Sequence, residues 1–350
     1  MKSYNVGLIG YGWAASAHIP AINATGRARV TSVLSSRPLD DRELSLRHGG
    51  TVRCFTDRDE FLAQSDLDVV DITGYPWEHA AWAIAAARAG KHLILEKPVA
   101  LTWKDCLAVE KAVKAARVRT CVCFEVRYCA QFLATKSIIE QGLLGRIHYG
   151  EVDYYHGIGP WYGQYAWNVK RKGGGSSLLS AGCHALDALL LCMGDDVETV
   201  TSLNATSSNA DFKKYEYPTT TATLVQFRGG RVGKCVSSID CIQPYYFHTH
   251  LVGSEGSLLD QKLHTNKIAG LTKKKWSELS FSLIDSGDVA DHPYQAQFDA
   301  FFAALAEGRE MPLTSLCDAL GTHRVVFAAD RSAALGGKPV KVGAIAWPSR

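Results

Sequence analysis

Five short apolar runs, at residues 6–9, 30–34, 69–73, 92–95 and 120–124, are separated by segments rich in helix formers at 14–25, 39–48, 58–64, 78–89 and 103–116. Strands that alternate with helices run parallel, because each crossover returns the chain to the same edge, and the helices then cover both sheet faces. Gly90 stands where a helix C-cap is due, just before the fourth run. The pattern stops near residue 124. Beyond it, runs at 147–155, 197–206, 219–227, 231–239, 247–253 and 256–260 read as strands, several of them parted by glycine or charged turns. Arg228-Gly229-Gly230-Arg231 is the clearest hairpin signal. Residues 176–193 read as one long helix stopped by Gly194, and 294–307 and 315–335 add two more. The expected organisation is an α/β parallel-sheet domain over residues 1–123. An α+β domain over 124–350 follows, with a mainly antiparallel sheet and helices on one face.

Composition limits the partners. The 350 residues are 47% hydrophobic, which suffices for packed cores in two domains, and the net charge of +3 forces no basic face. Nucleic acid and anionic membrane are therefore not expected partners. No apolar run approaches the ~20 residues of a membrane span. The start, Met-Lys-Ser-Tyr, enters the first strand without the pattern of a signal peptide. The ten cysteines form no C-x-x-C pair and mostly sit in apolar segments, so buried reduced thiols and a cytoplasmic location are expected. The 12 histidines are scattered, no ligand set has usable spacing, and no metal is expected. Lys273-Lys274-Lys275 reads as a solvated turn.

Chemistry enters at the end of the first strand. Gly10-Tyr11-Gly12-Trp13-Ala14-Ala15 has the form G-x-G-x-x-A. Gly10 allows a tight turn, Gly12 lets backbone approach a pyrophosphate, and Ala15 permits close strand–helix packing. The helix N-terminus then faces the phosphates. The second strand ends in Ser35-Ser36-Arg37, with no carboxylate at its tip. A hydroxyl and a guanidinium suit a 2′-phosphate, which favours NADP(H) over NAD(H). The competing reading leaves Arg37 merely exposed and folds Asp40 or Asp41 back to the ribose.

The fourth run ends in Glu96-Lys97-Pro98, which puts a lysine at the carboxyl edge of a parallel sheet, where such sheets bind ligands. Pro98 fixes the backbone there, with a cis bond as one way of doing so. Further on, Gly173-Gly174-Gly175 precedes a helical stretch on which Ser180 and His184 share a face, with Asp187 three residues beyond.

At these residues the chain resembles the Gfo/Idh/MocA oxidoreductases, a family that includes glucose–fructose oxidoreductase and inositol dehydrogenase. The likeness covers nearly the whole chain. It rests on Gly10-x-Gly12-x-x-Ala15, Thr73 with His79, Glu96-Lys97-Pro98, Trp167, Gly182-x-His184-x-x-Asp187 and Gly253-x-x-Gly256. It implies a Rossmann domain followed by a domain built on a large, open antiparallel sheet. It also implies NAD(P)-dependent oxidation or reduction of a ring secondary alcohol in a sugar, glycoside or cyclic polyol, and a homodimer or homotetramer formed through that sheet.

The same resemblance assigns roles. Lys97 and His184 become the catalytic pair, contributed by separate domains and converging over the nicotinamide. His184 accepts the hydroxyl proton and the Lys97 cation steadies the alkoxide. Gly10, Gly12, Trp13, Ala15, Ser36, Arg37, Thr73, Gly74, Tyr75, His79, Glu96, Lys97, Glu125 and Trp167 are the cofactor set. Glu125 and Arg127 fall where the chain leaves the nucleotide domain. Tyr155, His156, Trp161 and Tyr162, with Lys97, Ser180 and His184, are the substrate set, because aromatic faces suit the C–H faces of sugar rings. The stretch around Trp161 reads equally as core or subunit contact, and Asp187 as a cap or buried partner.

Two positions depart from the family pattern. Ser180 stands where many members have an aspartate beside the histidine, and Asn168 where an arginine often follows the tryptophan. Serine orients an imidazole but does not stabilise an imidazolium by charge. That departure keeps a rival open: a glycosidase that holds NAD tightly, oxidises C3 transiently, eliminates an aglycone and restores the hydroxyl. A non-catalytic nucleotide-sensing protein of the same fold is the third reading.

Overall fold

The computed structural model describes residues 3–345. The chain divides into two compact units. One runs to Glu125 and takes back Asp288–Leu320; the other comprises Val126–Gly287 and the chain from Gly321.

The first unit holds a six-stranded sheet: β1 (Tyr4–Ile9), β2 (Ala28–Leu34), β3 (Arg53–Phe55), β4 (Val69–Ile72), β5 (His92–Leu95) and β6 (Thr120–Val122). Its order is β3-β2-β1-β4-β5-β6 and every pairing is parallel. The connecting helices are α1 (Trp13–Ala24), α2 (Asp41–His48), α3 (Arg58–Leu62), α4 (His79–Arg88) and α5 (Trp103–Ala116). β3 is three half-buried residues and carries no apolar run of its own. The strand order reverses at β1, which pairs with both β2 and β4, and ligands bind such sheets at the carboxyl ends beside that reversal. Gly10 and Thr73 follow those two strands directly.

The second unit is built on nine strands in the order β14-β13-β12-β11-β7-β10-β9-β8-β15. They are β7 (Ile147–Tyr155), β8 (Val197–Ala205), β9 (Thr220–Phe227), β10 (Val232–Ser238), β11 (Tyr246–Gly253), β12 (Gly256–Leu259), β13 (Lys262–Thr265), β14 (Ser277–Glu278) and β15 (Val340–Lys341). All pairings are antiparallel except β10 with β7. The expected hairpin joins β9 to β10, with Gly229 and Gly230 at φ 74° and 80°.

Four helices precede β8: α6 (Ala130–Glu140), α7 (Tyr165–Asn168), α8 (Arg171–Gly174) and α9 (Cys183–Met193). The long helix expected over 176–193 is broken: Leu178–Gly182 is a π-helical turn and α-helix resumes at Cys183. Residues Arg171–Met193 are apolar enough by length and composition to cross a membrane, but this stretch is mostly buried inside the second unit, as core helices are. α9 lies on β7 and β10, where Gly150 and Gly233 admit Met193 and Leu189.

The segment that returns to the first unit carries α10 (Tyr294–Ala306) and leads into α11 (Leu316–Ala334). It covers the edge strand β6. The Val122 amide donates to Thr314 O, Gln297 Nε2 donates to Val122 O, and the Leu316 amide donates to Thr120 Oγ1, at 2.9–3.0 Å. An unpaired strand edge is thereby closed within the unit. All ten cysteines are free thiols, and burial raises several of their pKa values.

Candidate functional site

In the first unit the expected cofactor residues form one connected network. Gly10 has φ +94°, and a Cβ there would lie 2.8 Å from the backbone of Gly74, so no other residue fits this turn without strain. Thr73 Oγ1 donates to Gly10 O at 2.8 Å and holds the loop after β1 against the loop after β4. Gly12 is the N-cap of α1 and contributes no side chain; a Cβ there would meet nothing within 4 Å. The α1 N-terminus carries no acidic residue in its first turn. Open space, backbone N–H groups and an uncontested helix dipole fit a dinucleotide pyrophosphate. Ala15 is fully buried, as close strand–helix packing demands, and Trp13 is part-exposed beside the turn. Tyr75, after Gly74, stacks on Trp77 with centroids 4.4 Å apart, and both rings are about half exposed.

His79 ties this loop to the next strand end. Its Nδ1 lies 2.7 Å from Pro98 O and its Nε2 3.1 Å from Gly74 O. Burial holds its pKa below the ordinary value, and a neutral ring donates to only one of those carbonyls. The Lys97–Pro98 bond is cis.

Below Lys97 lies a buried charge cluster that the sequence did not announce. His18, from α1, is fully buried, with Nδ1 3.0–3.1 Å from both carboxylate oxygens of Asp71 and Nε2 3.0 Å from Glu96 Oε1. The Tyr294 hydroxyl donates to the same Glu96 oxygen at 3.0 Å, and Glu96 Oε2 accepts the amide N–H of Lys97 at 3.0 Å. Glu96 therefore grips the backbone of the lysine that follows it. Burial alone would discharge His18, but the charges and hydrogen bonds of Asp71 and Glu96 outweigh it and push its pKa up to about 10. Burial would also lift Glu96, yet His18 brings it below the usual carboxylate range. His18, Glu96 and Cys123 come within 4.8 Å of one another. We read an ion pair rather than a metal site, because both imidazole nitrogens already donate to carboxylates. Glu125 is buried with His292 Nδ1 3.0 Å from its Oε1, so its carboxylate is engaged inside the first unit.

At the tip of β2, Ser36 and Arg37 are exposed. The nearby carboxylates are each engaged through one oxygen: Asp40 caps α2 by accepting the Glu43 amide at 2.8 Å, and Asp41 accepts the Cys54 amide at 2.9 Å.

In the second unit, His184 is buried in the first turn of α9. Gly182 brings that turn onto β10, where a Cβ would sit 2.2 Å from the Ser237 Cβ. Ser180 lies in the π turn, so the simple i, i+4 face expected of an α-helix does not describe its relation to His184. Ser180 lies near Tyr217, whose hydroxyl donates to Asn168 O at 2.7 Å. Trp167, half-buried, precedes that asparagine. The two departures from the family pattern thus both lie beside Tyr217.

Asp187 is a structural partner. Its oxygens receive Arg127 Nε at 2.5 Å and Nη2 at 2.7 Å, and Thr322 Oγ1 at 2.6 Å, all buried. Tyr155 lies on the other face of β7 from its neighbour Tyr154. Strand alternation puts Tyr154 on the α9 side of β7 and Tyr155 on the opposite face, where its hydroxyl donates to Asp153 at 3.2 Å. His156, Tyr162 and Tyr245 do gather, edge to face, at centroid distances of 4.9–5.2 Å. Trp161 is 61% exposed.

A glycine turn under open space at a parallel-sheet reversal, with a lysine at a neighbouring strand end, defines a dinucleotide-binding unit followed by an antiparallel-sheet domain. Residues 4–124 match the oxidoreductase family with an NAD-binding Rossmann fold, and residues 132–259 match the GFO/IDH/MocA C-terminal domain. The chain belongs to that family.

Its relatives include the levoglucosan dehydrogenase of Pseudarthrobacter phenanthrenivorans, 34% identical over 154 residues, which are 42% of this chain and 40% of that protein. The 1,5-anhydro-D-fructose reductase of Ensifer adhaerens is 26% identical over 321 residues, 91% and 92% of the two chains. A glycosyl hydrolase family 109 protein of Shewanella putrefaciens is 26% identical over 267 residues, 67% of this chain and 56% of that one. Among solved structures, a levoglucosan dehydrogenase in complex with NADH and levoglucosan superposes with a TM-score of 0.83 at 24% identity, over 98% of this chain and all of that one. At that identity the likeness speaks for the fold.

Proposed function

We propose that the protein is an NAD(P)-dependent oxidoreductase acting on a ring secondary alcohol of a sugar, glycoside or cyclic polyol. The observation that carries this reading is the network running from Gly10 through Thr73, Gly74 and His79 to Pro98, and from His18 through Glu96 to Lys97. It fixes a pyrophosphate cradle and a lysine backbone in one rigid unit, which is what positioning for hydride transfer needs. The nicotinamide supplies the hydride acceptor when bound. Lys97 steadies the oxygen of the reacting hydroxyl, and His184 takes its proton. Single-turnover cofactor reduction with His184→Ala tests the assignment: a loss of about 10²-fold or more is expected for a general base, and an unchanged rate at neutral pH removes His184 from that role.

The same reading prefers NADP(H). Support comes from exposed Ser36 and Arg37 and from the prior engagement of Asp40 and Asp41 with backbone amides. A dissociation constant for NADP⁺ no tighter than that for NAD⁺ would reverse it. Self-association through the open face of the second sheet is part of the proposal; Leu203, Leu224 and Val232 lie exposed on that face, and sedimentation equilibrium reads the state directly.

A second reading is supported by Ser180 and Asn168, which leave the histidine segment without its usual charged neighbours. This is an NAD-dependent glycosidase that oxidises transiently and returns the hydride. Glycoside cleavage by protein purified with bound dinucleotide, with no accumulation of reduced cofactor, would select it over net dehydrogenation.

A further inference from the structure

We propose that a cavity in the second unit, walled by the loop after β7 and the turn after β10, is a subsite for a second sugar ring, so that the preferred substrate is a glycoside or disaccharide rather than a free monosaccharide. The inference rests on the sugar-oxidoreductase reading above. The cavity measures about 300 Å³, and Trp161, Ile242 and Tyr245 give it apolar surface while His156, Gln243 and Ser286 give it polar groups. Ligand pockets begin near ~300 Å³, and this mixture of aromatic faces with a few polar groups is their usual lining. The volume suits a single ring and is too small for a dinucleotide.

Trp161 is the central observation. A tryptophan left 61% exposed has a large apolar face open to a ligand, and this one is held in place by its neighbours. Its Nε1–H donates to Gly157 O at 3.0 Å. Its ring lies over Gly159, where a Cβ would come within 2.4 Å of it, and it meets Phe212 edge-on at 6.1 Å. The indole is held ready with one side open, so little freedom remains to be lost when a ligand stacks on it. Ile242, 71% exposed, adds apolar surface to the same cavity. His156 is fixed as well: the Tyr154 hydroxyl lies 3.0 Å from its Nδ1, and a Cβ on Gly287 would be 2.5 Å from its ring. A flat apolar face beside oriented hydrogen-bonding groups is the surface a pyranose presents in complement.

Within the second unit, His184 is not among the residues that line the cavity. Tyr154 packs edge-on against Tyr245 of the cavity at 5.4 Å and also lies near Cys183, the residue before His184. Within the second unit, then, Tyr154 connects the cavity wall to the turn that carries the candidate base.

Two measurements test this. In the first, kcat/KM is compared for glucose and galactose against cellobiose, maltose and lactose, in the native protein and in Trp161→Ala. The expected result is that at least one disaccharide is preferred and that its preference over the monosaccharide falls tenfold or more in the variant through KM, with Trp161→Phe restoring most of it. Ile242→Ser repeats the comparison should Trp161→Ala not fold, since an exposed side chain contributes little to folding. In the second, calorimetry follows disaccharide binding in the presence of oxidised cofactor, without turnover as a readout. Sugars oxidised with no disaccharide preference, or a preference unmoved by either variant, overturn the subsite and leave the oxidoreductase reading intact. Disaccharide binding that Trp161→Ala abolishes, in a protein that oxidises no sugar, supports the subsite and defeats the oxidoreductase reading.

Discussion

Replacing His18 with glutamine tests the electrostatics that hold Glu96 and, through it, Lys97. His18 is fully buried between Asp71 and Glu96, and its pKa is pushed up to about 10 from 6.5. The folded protein therefore keeps a proton that the unfolded chain releases above 6.5. The stabilisation from this group is complete below that pH and is lost as pH rises toward 10. In between, one extra proton on the native state makes stability fall by about 1.4 kcal/mol per pH unit. Over the window from about pH 8 to about pH 9.5, native protein should lose roughly 2 kcal/mol that His18→Gln does not. Cys106, Cys121 and Cys123, all pushed up by burial, also lower stability as pH rises. For that reason the absolute slope is not diagnostic; the difference between the two proteins is, because the thiols are common to both. At pH 7 the variant leaves two buried carboxylates without their cation, which costs about 3–5 kcal/mol. Urea midpoints at a fixed m-value give both quantities. Parallel pH dependences in the two proteins would show that His18 is neutral in the fold, and the account of Glu96 as a fixed anion behind Lys97 would fail.

Gly10→Ala places a Cβ 2.8 Å from Gly74 at a left-handed φ and should lower Tm as well as cofactor affinity, whereas Gly12→Ala should leave Tm within a degree or two and weaken dinucleotide binding alone, by calorimetry. Asp187→Asn leaves the buried Arg127 guanidinium without its carboxylate and should cost about 3–5 kcal/mol in urea unfolding; near-native stability would mean that the pair is solvated. Arg37→Ala should weaken NADP⁺ binding at least tenfold and leave NAD⁺ within twofold, and equal losses would detach Arg37 from the 2′-phosphate.

The parallel sheet was legible because buried strands of a doubly wound sheet are short continuous apolar runs, and β5 and α5 begin and end where the composition changes. β3 was not, since a half-buried edge strand needs no apolar run. Gly10, Gly12 and Ala15 could be read from spacing because each answers a local backbone constraint. His18, Asp71 and Tyr294 could not, although they hold Glu96: they come from α1, β4 and α10, and only the fold brings residues 18, 71, 96 and 294 together. A histidine in a helix and an aspartate inside a four-residue strand carry no mark of their partner. The aspartate in an otherwise apolar strand was the available signal, because a buried carboxylate needs a counter-charge.

The π turn at Leu178–Gly182 shows where helical periodicity misleads, and it bears on the two family departures. Ser180 lies near Tyr217, whose hydroxyl donates to Asn168 O at 2.7 Å and lies 3.1 Å from its Oδ1. A Cβ on Gly174 would come 2.2 Å from the same hydroxyl, so the space around it is full. A carboxylate at position 180 would need a counter-charge in this packed space, whereas a serine and an asparagine need none. Introducing Ser180→Asp alone therefore buries an unmatched charge and should cost about 3 kcal/mol or more. Adding Asn168→Arg should recover at least about 1 kcal/mol of that, measured as the coupling in a double-mutant cycle by urea unfolding. Simple additivity would mean that positions 168 and 180 do not sense each other through Tyr217, and the two departures would then be unrelated changes rather than one neutral replacement of an ion pair.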